Sequence, residues 1–258
     1  MKPITTTLPS SGSPFKILWI VLLFFSGASS GKAQEKIIFP ATDSLMVTAD
    51  LYSRQADDPY MLLFHEEGSS RGEYREIAPR LVKMGYNCLA VDLRVGKEMN
   101  YISNETARRA ASLTPSPQLY DCINDIQGAV RYAWSRNRQP VVLLGSSFSA
   151  SLCLLEAMND TLIRAVVTFS PGEFFRPFLS VKDSLSQISI PVLIAGSKKE
   201  YPYLSELASG IPPTYLTLFV PSRYEGEHGT ASLLSSDPAS GDYWLSLLMF
   251  FRNLRNEK

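Results

Sequence analysis

Four serines, Ser146, Ser147, Ser149 and Ser151, stand directly after the apolar run Val141–Leu144. A serine hydroxyl attacks a carbonyl only when a neighbouring base takes its proton and a third group orients that base. The chain contains two histidines. His228, in Gly226-Glu227-His228-Gly229, follows the apolar run Tyr215–Val220 and precedes the last helical pattern. The first acid after the apolar run Val192–Ala195 is Glu200, in Gly196-Ser197-Lys198-Lys199-Glu200. A serine, a late carboxylate and a later histidine are the parts of a nucleophile, an orienting group and a general base. The chemistry they suggest is acyl transfer.

The choice among the serines follows from backbone sterics. A nucleophile on a tight strand-to-helix turn needs small residues two before and two after it. Ser146 has bulky Leu144 two places before it and fails. Ser149 is flanked at those positions by Ser147 and Ser151, without a glycine. Ser147 has Gly145 before it and Ser149 after it and fits best, as G-x-S-x-S. The competing reading is a serine-rich helix N-terminus whose hydroxyls cap free amides. Likewise Lys198-Lys199-Glu200 reads alternatively as a solvated charged turn. Asp183 lies before the strand, and Glu225 and Glu227 crowd His228 in sequence.

These residues need a scaffold, and the rest of the chain describes one. Apolar runs at Lys36–Pro40, Met46–Tyr52, Tyr60–Phe64, Asn87–Leu93, Val141–Leu144, Ala165–Phe169, Val192–Ala195 and Tyr215–Val220 read as strands. Helical spacing recurs from Tyr74 to Met84, from Leu119 to Trp134, over Leu152–Met158, near Tyr203–Leu207 and over Tyr243–Leu254. Alternation of this kind predicts an α/β fold in three layers, a mostly parallel central sheet flanked by helices, with the opening strand pair as an antiparallel edge. The stretch Arg94–Pro117 carries the least pattern and reads as a surface excursion. No repeat or linker interrupts the chain, so a single domain over residues 34–258 is expected.

The order Ser147, Glu200, His228 on this alternation resembles the α/β-hydrolase superfamily, in its dienelactone-hydrolase-like and small serine esterase branches. The resemblance spans nearly the whole chain after residue 33. It implies that Phe64-His65-Glu66-Glu67-Gly68 is the loop after the third strand, which supplies one oxyanion amide, that of Glu67. The other donor is the amide of Phe148. The family usually has His-Gly at this loop, so Glu66 departs from the pattern, as Ser149 does at the elbow. His65 precedes the elbow in the wrong loop, so it reads as structural or as a group supporting the site from behind, and not as the base. Only Ser170–Ile190 separates two strands where the family often inserts a cap, which implies little or no cap domain. Phe174, Phe175, Pro177 and Phe178 there either line an acyl pocket or pack on the core. The implied activity is an exported serine hydrolase cleaving carboxylic esters through an acyl-enzyme on Ser147. A small serine peptidase and a non-catalytic binding or scaffold protein with a degenerate site remain the alternatives.

Composition narrows the partners. Charged residues make up 19% of the chain with 25 bases against 25 acids, which argues against a nucleic-acid surface. Lys2 and Lys16 precede the apolar run Ile17–Phe25, then SGASSGKAQ. That run is far shorter than the ~20 residues of a membrane span, and the pattern is that of a secretory signal peptide over residues 1–33. Cleavage between Ala33 and Gln34 would remove three lysines and no acid. A periplasmic or secreted protein without a membrane span in the mature chain is expected. Cys88, Cys122 and Cys153 read as buried thiols. No Cys/His spacing resembles a zinc site, and the proposed chemistry needs no cofactor. The sequence assigns neither the acyl and alcohol groups of the substrate nor the oligomeric state.

Overall fold

The structure, a computed structural model, describes Met1 and residues 34–256. The signal peptide expected over residues 1–33 lies, beyond Met1, outside the described residues. In chain order the elements are β1 (Glu35–Pro40), β2 (Met46–Tyr52), β3 (Tyr60–Phe64), α1 (Ala78–Lys83), β4 (Asn87–Val91), β5 (Glu98–Met99), β6 (Ile102–Ser103) and α2 (Glu105–Ala110). They continue with α3 (Ile123–Asn137), β7 (Val141–Ser146), α4 (Phe148–Ala157), β8 (Ile163–Phe169), α5 (Val181–Ser184), β9 (Val192–Ala195), α6 (Tyr201–Ala208), β10 (Leu216–Phe219) and α7 (Ser240–Asn256).

Eight strands form one sheet in the order β1-β2-β4-β3-β7-β8-β9-β10. β1 pairs antiparallel with β2, and β2 antiparallel with β4. All remaining pairs are parallel. β3, β4 and β7 are buried at every residue because helices cover both faces, which is why they read as continuous apolar runs and not as alternation. The side-chain period of two divides them cleanly. Leu62, Phe64 and Leu143 enter a core with Ile126 and Val130 of α3 and Leu204 of α6. Met61, Leu63 and Leu144 enter the opposite core with Leu81 of α1 and Leu247 and Phe251 of α7.

The helix after β7 begins at Phe148, directly after the strand-to-helix turn that the sequence predicts at Gly145–Ser149, and its serine-rich first turn is buried. One expectation is corrected. The stretch Arg94–Pro117 is more than a surface excursion. It holds the β5–β6 hairpin and α2, and its Arg94, Asn104 and Thr106 are buried. Between β8 and β9 the chain adds only α5 and a 3-10 turn at Leu185–Gln187, so no cap domain is inserted. Phe175 there is buried, whereas Phe174 and Phe178 are exposed.

Candidate active site

The carboxyl ends of parallel strands are where such sheets gather chemistry. Ser147 follows β7 directly, Ser170 follows β8, Glu200 lies beyond β9 and His228 beyond β10. Glu66 and Glu67 occupy the loop after β3. The candidates therefore converge on one edge of the sheet.

Ser147 adopts φ 58° and ψ −121°, a left-handed backbone between an extended strand and a helix. Such conformations cost a non-glycine residue about 1–3 kcal/mol and persist only where the surroundings enforce them. The enforcement is visible. The Ser147 amide donates to Phe169 O at 2.8 Å, and Ala150 N donates back to Ser147 O at 3.1 Å. Gly145 is required because a Cβ there would lie 2.6 Å from both Cα and N of Ala150. Gly145→Ala is thus expected to destabilise the fold by about 1–3 kcal/mol, since the opposing atoms are backbone and cannot rotate away; a urea midpoint equal to wild type would contradict this.

The serine at the second small position is accommodated. Ser149 is fully buried, and its hydroxyl accepts from Ser146 N at 3.0 Å and lies within donating distance of Phe64 O, at 2.7 Å. It ties the elbow to the end of β3, which a glycine could not do.

His228 Nε2 stands 3.0 Å from Ser147 Oγ, and its Nδ1 stands 2.6 Å from Glu200 Oε1. A carboxylate at that distance selects the tautomer with the proton on Nδ1, leaving Nε2 to accept from the serine. Glu200 Oε2 accepts from Ser197 N at 2.8 Å, Ser197 Oγ at 3.0 Å and Ser170 Oγ at 2.8 Å. Burial raises the Glu200 pKa, but the bonds from His228, Ser197 and Ser170 outweigh it and hold the carboxyl down to about 2. The hydrogen bond to Glu200 raises the His228 pKa, burial opposes it, and the charges of Glu200, Glu66 and Glu73 raise it further. Gly196 leaves room for this arrangement, as a Cβ there would come within 2.9 Å of Glu200 Oε2. Glu200 is thus no solvated charged turn, even though its neighbours are lysines.

The other acids are placed elsewhere. Glu225 accepts from Lys198 N through its carbonyl and from Lys199 N through Oε1, both at 2.9 Å, which fastens the histidine loop to the acid loop. Glu227 N donates to Asp237 Oδ2 at 2.9 Å. Asp183 lies in the first turn of α5. Glu67 points its side chain to solvent, and Glu66 packs Oε2 against Gly229, 3.2 Å from where a Cβ would stand. Burial raises the Glu66 pKa, and the charge of His228 lowers it.

His65 is structural, as its position implies. It is fully buried, accepts from Leu93 N at Nε2 (3.0 Å) and donates from Nδ1 to Glu66 O (2.7 Å). Burial drives its pKa down to about 4 and keeps the ring neutral. Phe148 is the first residue of α4, so its amide has no acceptor within the helix.

Sequence reasoning missed Ser170. It is buried at φ 52°, donates to Glu200 and accepts from Gly229 N at 2.9 Å. Its position directly after a buried strand, beside the strand bearing the elbow, was the available signal. Among the described residues no group of acids, histidines and cysteines has the arrangement of a metal site, and no helix is long and apolar enough to cross a membrane.

No protein-family model and no curated protein matches the sequence. Solved structures do match. A dienelactone hydrolase from Anabaena variabilis superposes with a TM-score of 0.64 at 16% identity, over 86% of this chain and 97% of that one. An esterase from Pyrococcus furiosus gives 0.64 at 17% identity, over 86% and 92%. A dienelactone hydrolase-like promiscuous phosphotriesterase from metagenomic libraries gives 0.60 at 18%, over 86% and 99%. With the strand order, the elbow and these superpositions in hand, the chain has the α/β-hydrolase fold, in the cap-free form.

Proposed function

We propose that this protein is a serine hydrolase that cleaves carboxylic esters through an acyl-enzyme on Ser147. The observation that carries the reading is the continuous line Ser147 Oγ, His228, Glu200 at 3.0 and 2.6 Å, starting from a serine held at positive φ. Folds host many activities, so the reading rests on the site and not on the neighbours.

Ser147 Oγ attacks the ester carbonyl while His228 Nε2 takes its proton. Glu200 holds the Nδ1 proton and balances the imidazolium charge. The carbonyl oxygen, now an oxyanion, is received by the amides of Phe148 and Glu67. One such donor contributes roughly 3–4 kcal/mol of barrier lowering. His228 returns the proton to the departing alkoxide. Water, activated by the same histidine, then releases the acid and restores Ser147. Burial raises the Glu66 pKa and the charge of His228 lowers it, so the two side chains are electrostatically coupled beside the oxyanion position.

The substrate in this reading is a small ester, and the leader pattern in residues 1–33 supports action in the periplasm or outside the cell after cleavage near Ala33. The test uses residues 34–258 with short- and medium-chain p-nitrophenyl esters, together with a fluorophosphonate probe and mass mapping of the labelled peptide. Turnover with the probe attached at Ser147 is expected. A probe attached elsewhere, or a wild-type protein that neither turns over nor labels, would sink the proposal.

A further inference from the structure

The loop after β3 and the segment carrying His228 come from distant parts of the chain, yet one side chain ties them together. Glu73, in the 3-10 turn Arg71–Tyr74, accepts the Glu66 amide at Oε2 (3.0 Å) and the Thr230 hydroxyl at Oε1. The turn itself is firmly seated. Tyr74 Oη donates to Phe64 O at 2.6 Å, Ser70 Oγ accepts from Gly72 N at 3.1 Å, and Asn100 Nδ2 donates to Gly72 O at 2.9 Å.

Both tethered groups border the reaction centre. Glu66 O is held by His65 Nδ1 at 2.7 Å. In a trans peptide the next N–H points opposite to that carbonyl, so this bond aims the Glu67 amide while Glu73 fixes the residue before it. Thr230 stands two residues after His228, and its own amide donates to Ser146 Oγ at 3.1 Å. Burial pushes the Glu73 carboxyl up to about 7, against the pull of its bonds from Thr230 and Glu66. An ionisable group is thus kept in a poorly solvated place where a smaller neutral residue would fold with less penalty.

We propose that Glu73 is a positioning residue of this site, whose carboxyl sets the distance between the oxyanion loop and His228 by accepting from Glu66 and Thr230 together. The proposal rests on the serine-hydrolase reading above. Displacements near 1 Å in a reacting constellation cost about 10²-fold in rate.

The test measures the rate of fluorophosphonate labelling of Ser147, and kcat and KM on a p-nitrophenyl ester, in Glu73→Ala, Glu73→Gln and Thr230→Val. Glutamine can keep both links, its oxygen accepting from Glu66 N and its amide donating to Thr230 Oγ1. Glu73→Ala is expected to slow labelling and kcat by roughly 10–100-fold with KM within about twofold. Glu73→Gln should remain within about threefold of wild type, and Thr230→Val should fall between the two. A folded Glu73→Ala with wild-type labelling, or a Glu73→Gln as slow as Glu73→Ala, overturns the proposal. Should Glu73→Ala fail to fold, Thr230→Val decides, because it leaves Glu73 in place; a wild-type rate there overturns the tether. Failure of wild type to label at Ser147 instead removes the hydrolase reading, and the tether's role with it.

Discussion

Ser147→Ala is expected to lower kcat on p-nitrophenyl esters by at least about 10⁴-fold while leaving the protein as stable as wild type to within about 1 kcal/mol. Alanine leaves His228, Glu200 and both amides in place but removes the hydroxyl that the proposed mechanism uses to attack. What remains is water attack assisted by the oxyanion donors. The stability argument is separate. Alanine suffers at φ 58° no more than serine does, and the lost hydrogen bond reaches a histidine whose side chain is 51% exposed. Initial rates, circular dichroism and a urea midpoint together check both parts. A folded mutant retaining a tenth of the wild-type rate would remove Ser147 from the mechanism.

Glu200→Gln should cost about 10²–10⁴-fold in kcat, for a reason specific to this site. Oε2 accepts from three donors on Ser197 and Ser170, so the single amide oxygen of glutamine is drawn to that side. Its NH₂ then faces His228 Nδ1, which must become an acceptor. The ring proton moves to Nε2, and the ring can no longer take the serine proton. A second effect has a definite sign. The carboxylate raises the His228 pKa, and activity requires the unprotonated ring, so wild-type kcat/KM falls as pH drops through that raised value. Without the carboxylate the ring stays unprotonated to lower pH, and the acid limb moves down even as the plateau falls. A pH–rate profile with unchanged limb and height would refute the assignment of Glu200.

The scaffold was legible where burial is two-sided. Strands such as β3 and β7 announce themselves because every residue must be apolar, and the order serine, acid, histidine follows from the strand ends. The stretch Arg94–Pro117 was not legible, and α2 shows why. Its sequence ETARRA offers only Ala107 and the buried Ala110 as apolar residues, and most of its attachment is polar. Asn104 caps it at Ala107 N, Thr106 Oγ1 accepts from Thr48 N, Glu105 N donates to Asp92, and Glu105 Oε1 accepts from Arg71. Periodicity cannot detect a helix held by partners tens of residues away. The same limit hid Ser170 and Glu73: each matters through bonds to residues remote in sequence. Ser149 was harder still, since a departure from the usual small residue could be judged only once its hydroxyl was seen bonded between two strands' ends.

The three free thiols carry a consequence for how this protein can be made and kept. Cys88 lies in β4, Cys122 at the start of α3 and Cys153 in α4, all without exposure, and burial raises each thiol pKa well above its ordinary value. A thiolate is the species that reacts with oxidants and disulfides, so burial and a raised pKa both disfavour reaction of these three thiols in the folded chain. The folded chain holds no disulfide among these cysteines, so the export proposed for it asks nothing of an oxidative folding catalyst. Vulnerability is confined to the interval before the sheet closes, when the same cysteines are accessible and mispairing competes with folding.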